Sequence, residues 1–329
     1  MEIVIVFIIS FLLSIISIPV MIPVSRKIHL IDKPDKRLKT HLIPTPITGG
    51  IVLSLIFTVL FSYPPLSRGI HWSFIIGFYI IFILGIIDDY KRLSPVPKLI
   101  IESFLALLVI FSGNSMEVTI FPKVLNFALT FIWIVGIINA VNLLDIMDTL
   151  ASTITLIISM TLLFINLSYG NIPNLFILSA LSGFLIVFLN FNKSPAKTYL
   201  GDCGSLIIGF ILAFISINTK YTSFNNVAFL TPLLIFGIPI YDTFFVSIVR
   251  IQKGKNPLHG SPDHLAIKMM EIISKKGFIV FVVALLQTVL SLFAFLSTVV
   301  STLWALVIYF FVLIVLTRIG FYINSIKKE

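Results

Sequence analysis

Eleven apolar runs, most of them about as long as a bilayer is thick and several shorter, recur along almost the whole of this chain and leave few folds open to it. Their extents are 3–24, 47–63, 72–88, 97–113, 122–139, 150–168, 173–190, 204–218, 226–248, 277–297 and 300–321. Hydrocarbon offers no partner to a backbone N–H or C=O. A segment that crosses it must therefore satisfy its own, and a helix of roughly 17–25 apolar residues does so. Composition agrees: of 329 residues, 58% are hydrophobic and 11% charged, against about half and about a quarter in a soluble domain. A lone cysteine, Cys203, excludes an internal disulfide framework. The first run follows Met-Glu rather than a basic segment, so it reads as a retained helix and not a cleaved signal. The expected fold is an all-α polytopic membrane protein of about 11 transmembrane helices, one integral-membrane domain over residues 1–329.

Charge gives the expected orientation. Basic residues stay on the cytoplasmic side of a membrane. With the N-terminus outside, the first, third, seventh and ninth connections and the C-terminal end hold 20 of the 23 Lys and Arg; only Arg68, Lys123 and Lys220 fall opposite. That predicts N-out and C-in. The net charge of +9 is then a matter of topology, with no nucleic acid implied. Every aspartate lies in or beside a connection on that cytoplasmic side, the fifth included: Asp32, Asp35, Asp88, Asp89, Asp145, Asp148, Asp202, Asp242 and Asp263. Acidic residues contribute little to the charge rule, so this clustering needs a cause of its own.

Four segments carry candidate chemistry. In "GIIDDYKRLSP", Asp88 and Asp89 end an apolar run and are followed by Lys91 and Arg92. A solvated helix end is one reading. Carboxylates at membrane depth are costly, though, and two neighbours resist ionising together unless a cation is near. In "NAVNLLDIMDTLAS", Asn139, Asn142, Asp145 and Asp148 recur every three residues. On a helix they share one face, as metal or ligand oxygens or as a polar packing seam. In "FNKSPAKTYLGDCGSLIIGF", Asn192 and Asp202 flank a loop. There Gly201 and Gly204 permit close approach to a ligand, Ser205 can cap the next helix, and that helix start suits an anion. In "RIQKGKNPLHGSPDHLAIK", Arg250, Lys253, Lys255, His259, His264 and Lys268 form either a pyrophosphate cradle or an ordinary cytoplasmic loop. Hard oxygen donors with no Cys/His cluster point away from zinc and towards Mg²⁺. Phosphoryl transfer needs mainly positioning and charge stabilisation, which these groups supply.

The order of these segments resembles the polyprenyl-phosphate N-acetylhexosamine-1-phosphate transferases of glycosyltransferase family 4. The likeness covers nearly the full length, in "DKPDKRLKTHLIPTPITGG", "DDYKRLSP", "NAVNLLDIMDTLA", "FNKSPAKTYLGDCGSL" and "GIPIYDTFFVSIVRIQKGKNP". It implies a bacterial inner-membrane enzyme with its active site at the cytoplasmic face. Such an enzyme transfers a sugar 1-phosphate, here most closely N-acetylglucosamine 1-phosphate, from a UDP-N-acetylhexosamine to a polyprenyl phosphate. UMP is released, and cell-envelope glycan synthesis begins. The resemblance implies Mg²⁺ or Mn²⁺ at Asp202 and Asp145, with Asp88, Asp89 and Asp145 catalytic. Asn142, Asp148, Asn192, Lys91, Arg92, His264, Lys39 and His41 would contact substrate. A homodimer is the implied assembly.

Two departures stand out against that pattern. Ile146 and Thr149 replace glycines of an Asp-Gly-x-Asp-Gly motif. Ala266 and Ile267 thin a histidine cluster to His264 alone, followed by Lys268. The alternatives are a phospho-N-acetylmuramoyl-pentapeptide or other amino-sugar substrate, and a catalytically impaired scaffold. A transporter is the reading from another class. It would place ionisable groups along a path near the bilayer midplane, whereas here they gather on one face.

Overall fold

The computed structural model describes residues 1–32, 44–64, 69–222, 225–254 and 264–325. The chain divides into two compact units, Met1–Thr219 and Lys220–Glu329. The first unit opens with α1 (Glu2–Lys27) and an antiparallel ribbon of β1 (Ile31–Asp32) and β2 (Thr45–Pro46) that pairs Ile31 with Pro46. There follow α2 (Gly49–Ser62), α3 (Trp72–Lys91), α4 (Pro95–Phe111), α5 (Lys123–Leu144), α6 (Leu150–Tyr169), α7 (Ile172–Asn192) and α8 (Gly201–Ile217). The second unit holds a 3₁₀ turn (Ala228–Leu230), α9 (Thr231–Ile235), α10 (Gly237–Gln252), α11 (Leu265–Met269), α12 (Lys276–Val299) and α13 (Thr302–Ser325).

Each of the eleven apolar runs is helical, but they do not all have the length of a span. Among the described residues, 7 helices are long and apolar enough to cross a membrane, or 8 if a bent pair counts as one. The chain is therefore a multi-pass membrane protein. The shortfall has a geometric cause. At about 1.5 Å per residue, 14-residue α2 reaches roughly 21 Å and 17-residue α4 and α8 roughly 26 Å each, short of a hydrocarbon core of about 30 Å.

Helix α8 is the centre of the first unit. Every residue from Cys203 to Ile217 is buried, as expected of a helix that is apolar on all sides, and α2, α3 and α5 pack around it. The α3 contact is close because Gly85 carries no side chain: a Cβ there would lie 2.3 Å from Cys203 Cα. Small residues allow such approach between membrane helices. Further along the same contact, Phe74 of α3 stacks on Phe210 of α8 with centroids 5.6 Å apart. On the other side of the unit, α1 lies against α7, and Ser10 Oγ donates to Ala180 O at 2.5 Å.

In the second unit the run 226–248 is not one straight helix. Ala228–Ile235 and Gly237–Gln252 meet at 71°. A break leaves backbone groups without helical partners, and these are costly away from water. Fully buried Gln287 of α12 supplies them: its Oε1 accepts from Ile238 N–H at 3.1 Å, and its Nε2 donates to Ile235 O at 2.8 Å.

Candidate active site

Asp88 and Asp89, adjacent in sequence, have different partners. Helix α3 stops at a left-handed Arg92 (φ 49°), which turns the chain back over its own end. Leu93 N–H then donates to Asp88 Oδ1 at 2.7 Å, and Lys98 Nζ from the first turn of α4 donates to Asp88 Oδ2 at 2.6 Å. Asp88 is 2% exposed. The cation that offsets it is thus Lys98, and not Lys91 or Arg92 as the sequence order suggests. Lys91 is exposed, and Arg92 reaches Asp32 at 3.9 Å. Lys98 Nζ also lies 3.9 Å from Asp202 Oδ1.

Asp89 instead closes the N-terminus of α8. It accepts from Asp202 N–H at 2.8 Å and from Cys203 N–H at 3.1 Å, donors that every helix start leaves unsatisfied. Ser205 was the expected cap, but its hydroxyl points to Asn142 Oδ1, at 2.8 Å. The glycines, expected to admit a ligand, admit protein. Gly201 has φ +76°, and a Cβ on it would lie 2.4 Å from Ile47 Cγ2 and 2.8 Å from Asp89 Oδ2. The helix start that looked open to an anion thus gives two of its N–H groups to a carboxyl group of the same chain.

The polar stripe on α5 splits into separate tasks, because the helix ends at Leu144 and Asp145 is already its cap. Asn139 donates to Glu102 Oε2 and to Val135 O. Asn142 holds Ser205. Asp148 lies beyond the helix, in the turn before α6, so the four residues do not share one helical face. Thr149 follows in a left-handed conformation (φ 65°). Its N–H is held by Asn192 Oδ1 at 2.8 Å, while Asn192 Nδ2 donates to Thr198 O at 3.0 Å. Asn192 is 4% exposed and ties the aspartate turn to the loop that carries Tyr199 and leads into Asp202 at the start of α8. The glycine at position 149 in the related pattern now has a physical reason, since glycine adopts positive φ without strain.

The carboxylates of these elements face one another. Burial first, then the charges of Asp202 and Asp148, push Asp145 up to about 7. Burial, with Asp148 and Asp145 nearby, pushes the Tyr199 phenol up to about 12 against a hydrogen bond to Thr45. Among the described residues, no three of His, Cys, Asp and Glu stand close enough to form a ready metal cage. Mg²⁺ does not need one: it is usually held by one or two carboxylates together with waters and substrate phosphates. Asp202, 39% exposed at its side chain, and Asp145, which repels it, fit that mode. Both are hard oxygen donors whose mutual repulsion a cation would relieve.

His264 belongs to the second unit. Its Nδ1 lies 2.7 Å from Asp242 Oδ2, and Asp242 Oδ1 accepts from Leu265 N–H at 2.7 Å. Lys268 lies over the Phe245 ring at 5.7 Å. Lys39, His41 and the 255–263 segment with His259 lie outside the described residues. Sequence reasoning missed Lys98 and Glu102 as members of the site. Their signal was available: they are four residues apart on one helix, just after the aspartate pair.

The family profile described as glycosyl transferase family 4 matches residues 71–220. A probable undecaprenyl-phosphate N-acetylglucosaminyl 1-phosphate transferase of Bacillus subtilis is 31% identical over 100% of this chain and 94% of its own length. An undecaprenyl-phosphate alpha-N-acetylglucosaminyl 1-phosphate transferase of Thermotoga maritima is 30% identical over 77% of this chain and 75% of its own. A phospho-N-acetylmuramoyl-pentapeptide-transferase of Thermoanaerobacter sp. is 31% identical over 78% of this chain and 87% of its own. The chain belongs to glycosyl transferase family 4.

Proposed function

We propose that this member of glycosyl transferase family 4 transfers N-acetylglucosamine 1-phosphate from its UDP-sugar to undecaprenyl phosphate, giving the lipid-diphosphate sugar and UMP. The observation that carries the reading is the convergence of Asp88, Lys98, Asp89 and Asp202 from α3, α4 and α8. It accompanies full-length similarity to a transferase of that name. In the reaction an oxygen of the lipid phosphate bonds to the β-phosphorus of the UDP-sugar. The bond from that phosphorus to the bridging oxygen breaks, and UMP leaves with the electron pair. A phosphate monoester is already mostly ionised at pH 7, its second pKa being about 6, so the attacking oxygen needs little help from a base.

The chain's own groups then have positioning tasks. Asp88 orients Lys98. Asp89 fixes the start of α8, and with it the direction of the Asp202 side chain. Asn192 fixes the turn that bears Asp145 and Asp148. Mg²⁺ or Mn²⁺, held by Asp202 and Asp145, would offset charge on the diphosphate. The 20-to-3 division of basic residues supports about eleven crossings with the N-terminus outside, in a bacterial inner membrane. The carboxylates then face the cytoplasm, where UDP-sugars are made available.

The test is UMP release by purified protein in detergent, with undecaprenyl phosphate, Mg²⁺ and a panel of UDP-amino sugars. UDP-N-acetylglucosamine should give the fastest release. Preference for UDP-N-acetylmuramoyl-pentapeptide would replace the sugar assignment. Silence with every donor, from folded protein, would leave the scaffold reading standing.

A further inference from the structure

Glu102 is an expensive residue to place where it stands. It lies in the middle of α4, fully buried, one helical turn beyond Lys98. A buried carboxyl group costs several kcal/mol unless it is paired and hydrogen-bonded. Only half of that requirement is met. Oε2 accepts from Asn139 Nδ2, whose other N–H is committed to Val135 O at 2.9 Å. Oε1 has no hydrogen-bond partner among the described residues. An apolar residue would suit packing at this point better, so the carboxyl group has another use.

Its neighbour supplies one. Lys98 carries a single positive charge and stands 2.6 Å from Asp88 Oδ2 and 3.9 Å from Asp202 Oδ1. Glu102 attracts the same ammonium group from behind, at the spacing that brings side chains together on a helix. Two of its partners, Asp88 and Asp202, come from α3 and α8, and the third, Glu102, from one turn further along α4 itself. Asn139 fixes the Glu102 carboxyl group, so the pull has a defined direction.

We infer that Glu102 is a positioning residue for the transfer: its charge holds the Lys98 ammonium group at the Asp88–Asp202 edge of the site. The inference rests on the transferase reading above. A phosphate arriving at that edge would otherwise draw Lys98 away from Asp88. With Glu102 behind it, Lys98 can turn towards the phosphate while keeping its place.

The test separates charge from packing and from the transferase reading itself. UMP release is measured for the wild-type chain, for Glu102→Gln, and for the shape-matched pair Glu102→Asp and Glu102→Asn. Thermal unfolding in detergent is followed alongside. Glu102→Gln should lower kcat about tenfold or more, with KM for the UDP-sugar within about twofold and the melting temperature close to wild type. Glu102→Asp should exceed Glu102→Asn in kcat by about tenfold, a comparison that holds even if both lose stability. Wild-type kcat in Glu102→Gln overturns the inference, as do equal values for the Asp and Asn variants or a kcat that falls only in step with the melting temperature. No UMP from the wild-type chain with any donor overturns the transferase reading instead.

Discussion

Asp89 holds the first turn of α8 from another helix, accepting from the backbone N–H groups of Asp202 and Cys203 at 2.8 and 3.1 Å. The contact spans 113 residues of sequence. It makes the position of Asp202 a property of α3 as much as of its own loop.

Asp89→Ala should therefore act through Asp202. Two partly buried N–H groups would lose their acceptor, a loss of about 1–3 kcal/mol for each group so stranded. Unfolding in detergent should show a lower midpoint, and UMP release should fall by more than the lost folded fraction explains. An unchanged midpoint would show that the cap is dispensable.

Gly201→Ala should damage the same contact from the other side. Its positive φ and the 2.4 Å approach of Ile47 Cγ2 leave no room for a methyl group. Crowding of this kind typically costs about 1–3 kcal/mol. Loss of both stability and turnover is expected. A Gly201→Ala variant with wild-type melting and rate would contradict the packing described here.

Thr149→Gly should stabilise the protein. A left-handed conformation costs a residue with a Cβ about 1–2 kcal/mol, and Thr149 sits at φ 65°. Part of the gain returns to the unfolded chain, which glycine makes more flexible, and the hydrogen bond from Thr149 Oγ1 to Asp148 O is lost. A rise in the melting midpoint equivalent to somewhat under about 1 kcal/mol is the net expectation. A fall would mean that the hydroxyl matters more than the backbone.

Asp145 sets a pH dependence whose sign is opposite to that of a salt-bridged aspartate. Its pKa is raised to about 7 by burial, Asp202 and Asp148, so the folded state keeps a proton that the unfolded chain has lost. Stability of metal-free protein should fall as pH rises from about 4 towards 7 and level off above that. Melting curves in EDTA across this range check the slope. Asp145→Asn should flatten it, and an identical slope in that variant would remove Asp145 as its source.

Much of the fold was legible in the sequence because apolar runs leave strong local marks. All eleven runs are helical, and the boundaries of α3 and α7 follow the pattern to within a few residues. The span count was harder to read. Helices α2, α4 and α8 stop short of a span, and the backbone at the bend before Gly237 is satisfied by Gln287 from a distant helix. In the candidate site, the aspartates and asparagines stood out in the sequence, but their pairings and the place of Lys98 and Glu102 did not. Asp88 was paired in sequence with Lys91 and in space with Lys98, because the turn at Arg92 reverses the chain. Asn139 and Asn142 share a spacing, yet one serves Glu102 and the other Ser205. Only neighbours from other helices decide that.

Detection of the lipid product by mass spectrometry tests the central claim most directly. Purified protein, undecaprenyl phosphate, UDP-N-acetylglucosamine and Mg²⁺ are incubated beside the Asp202→Asn variant. The account predicts an undecaprenyl-diphosphate sugar, with UMP in equal amount, from the wild-type chain and neither product from the folded variant. Equal product from Asp202→Asn would contradict the assignment of the site, and no lipid-linked sugar from any UDP-amino sugar would contradict the function.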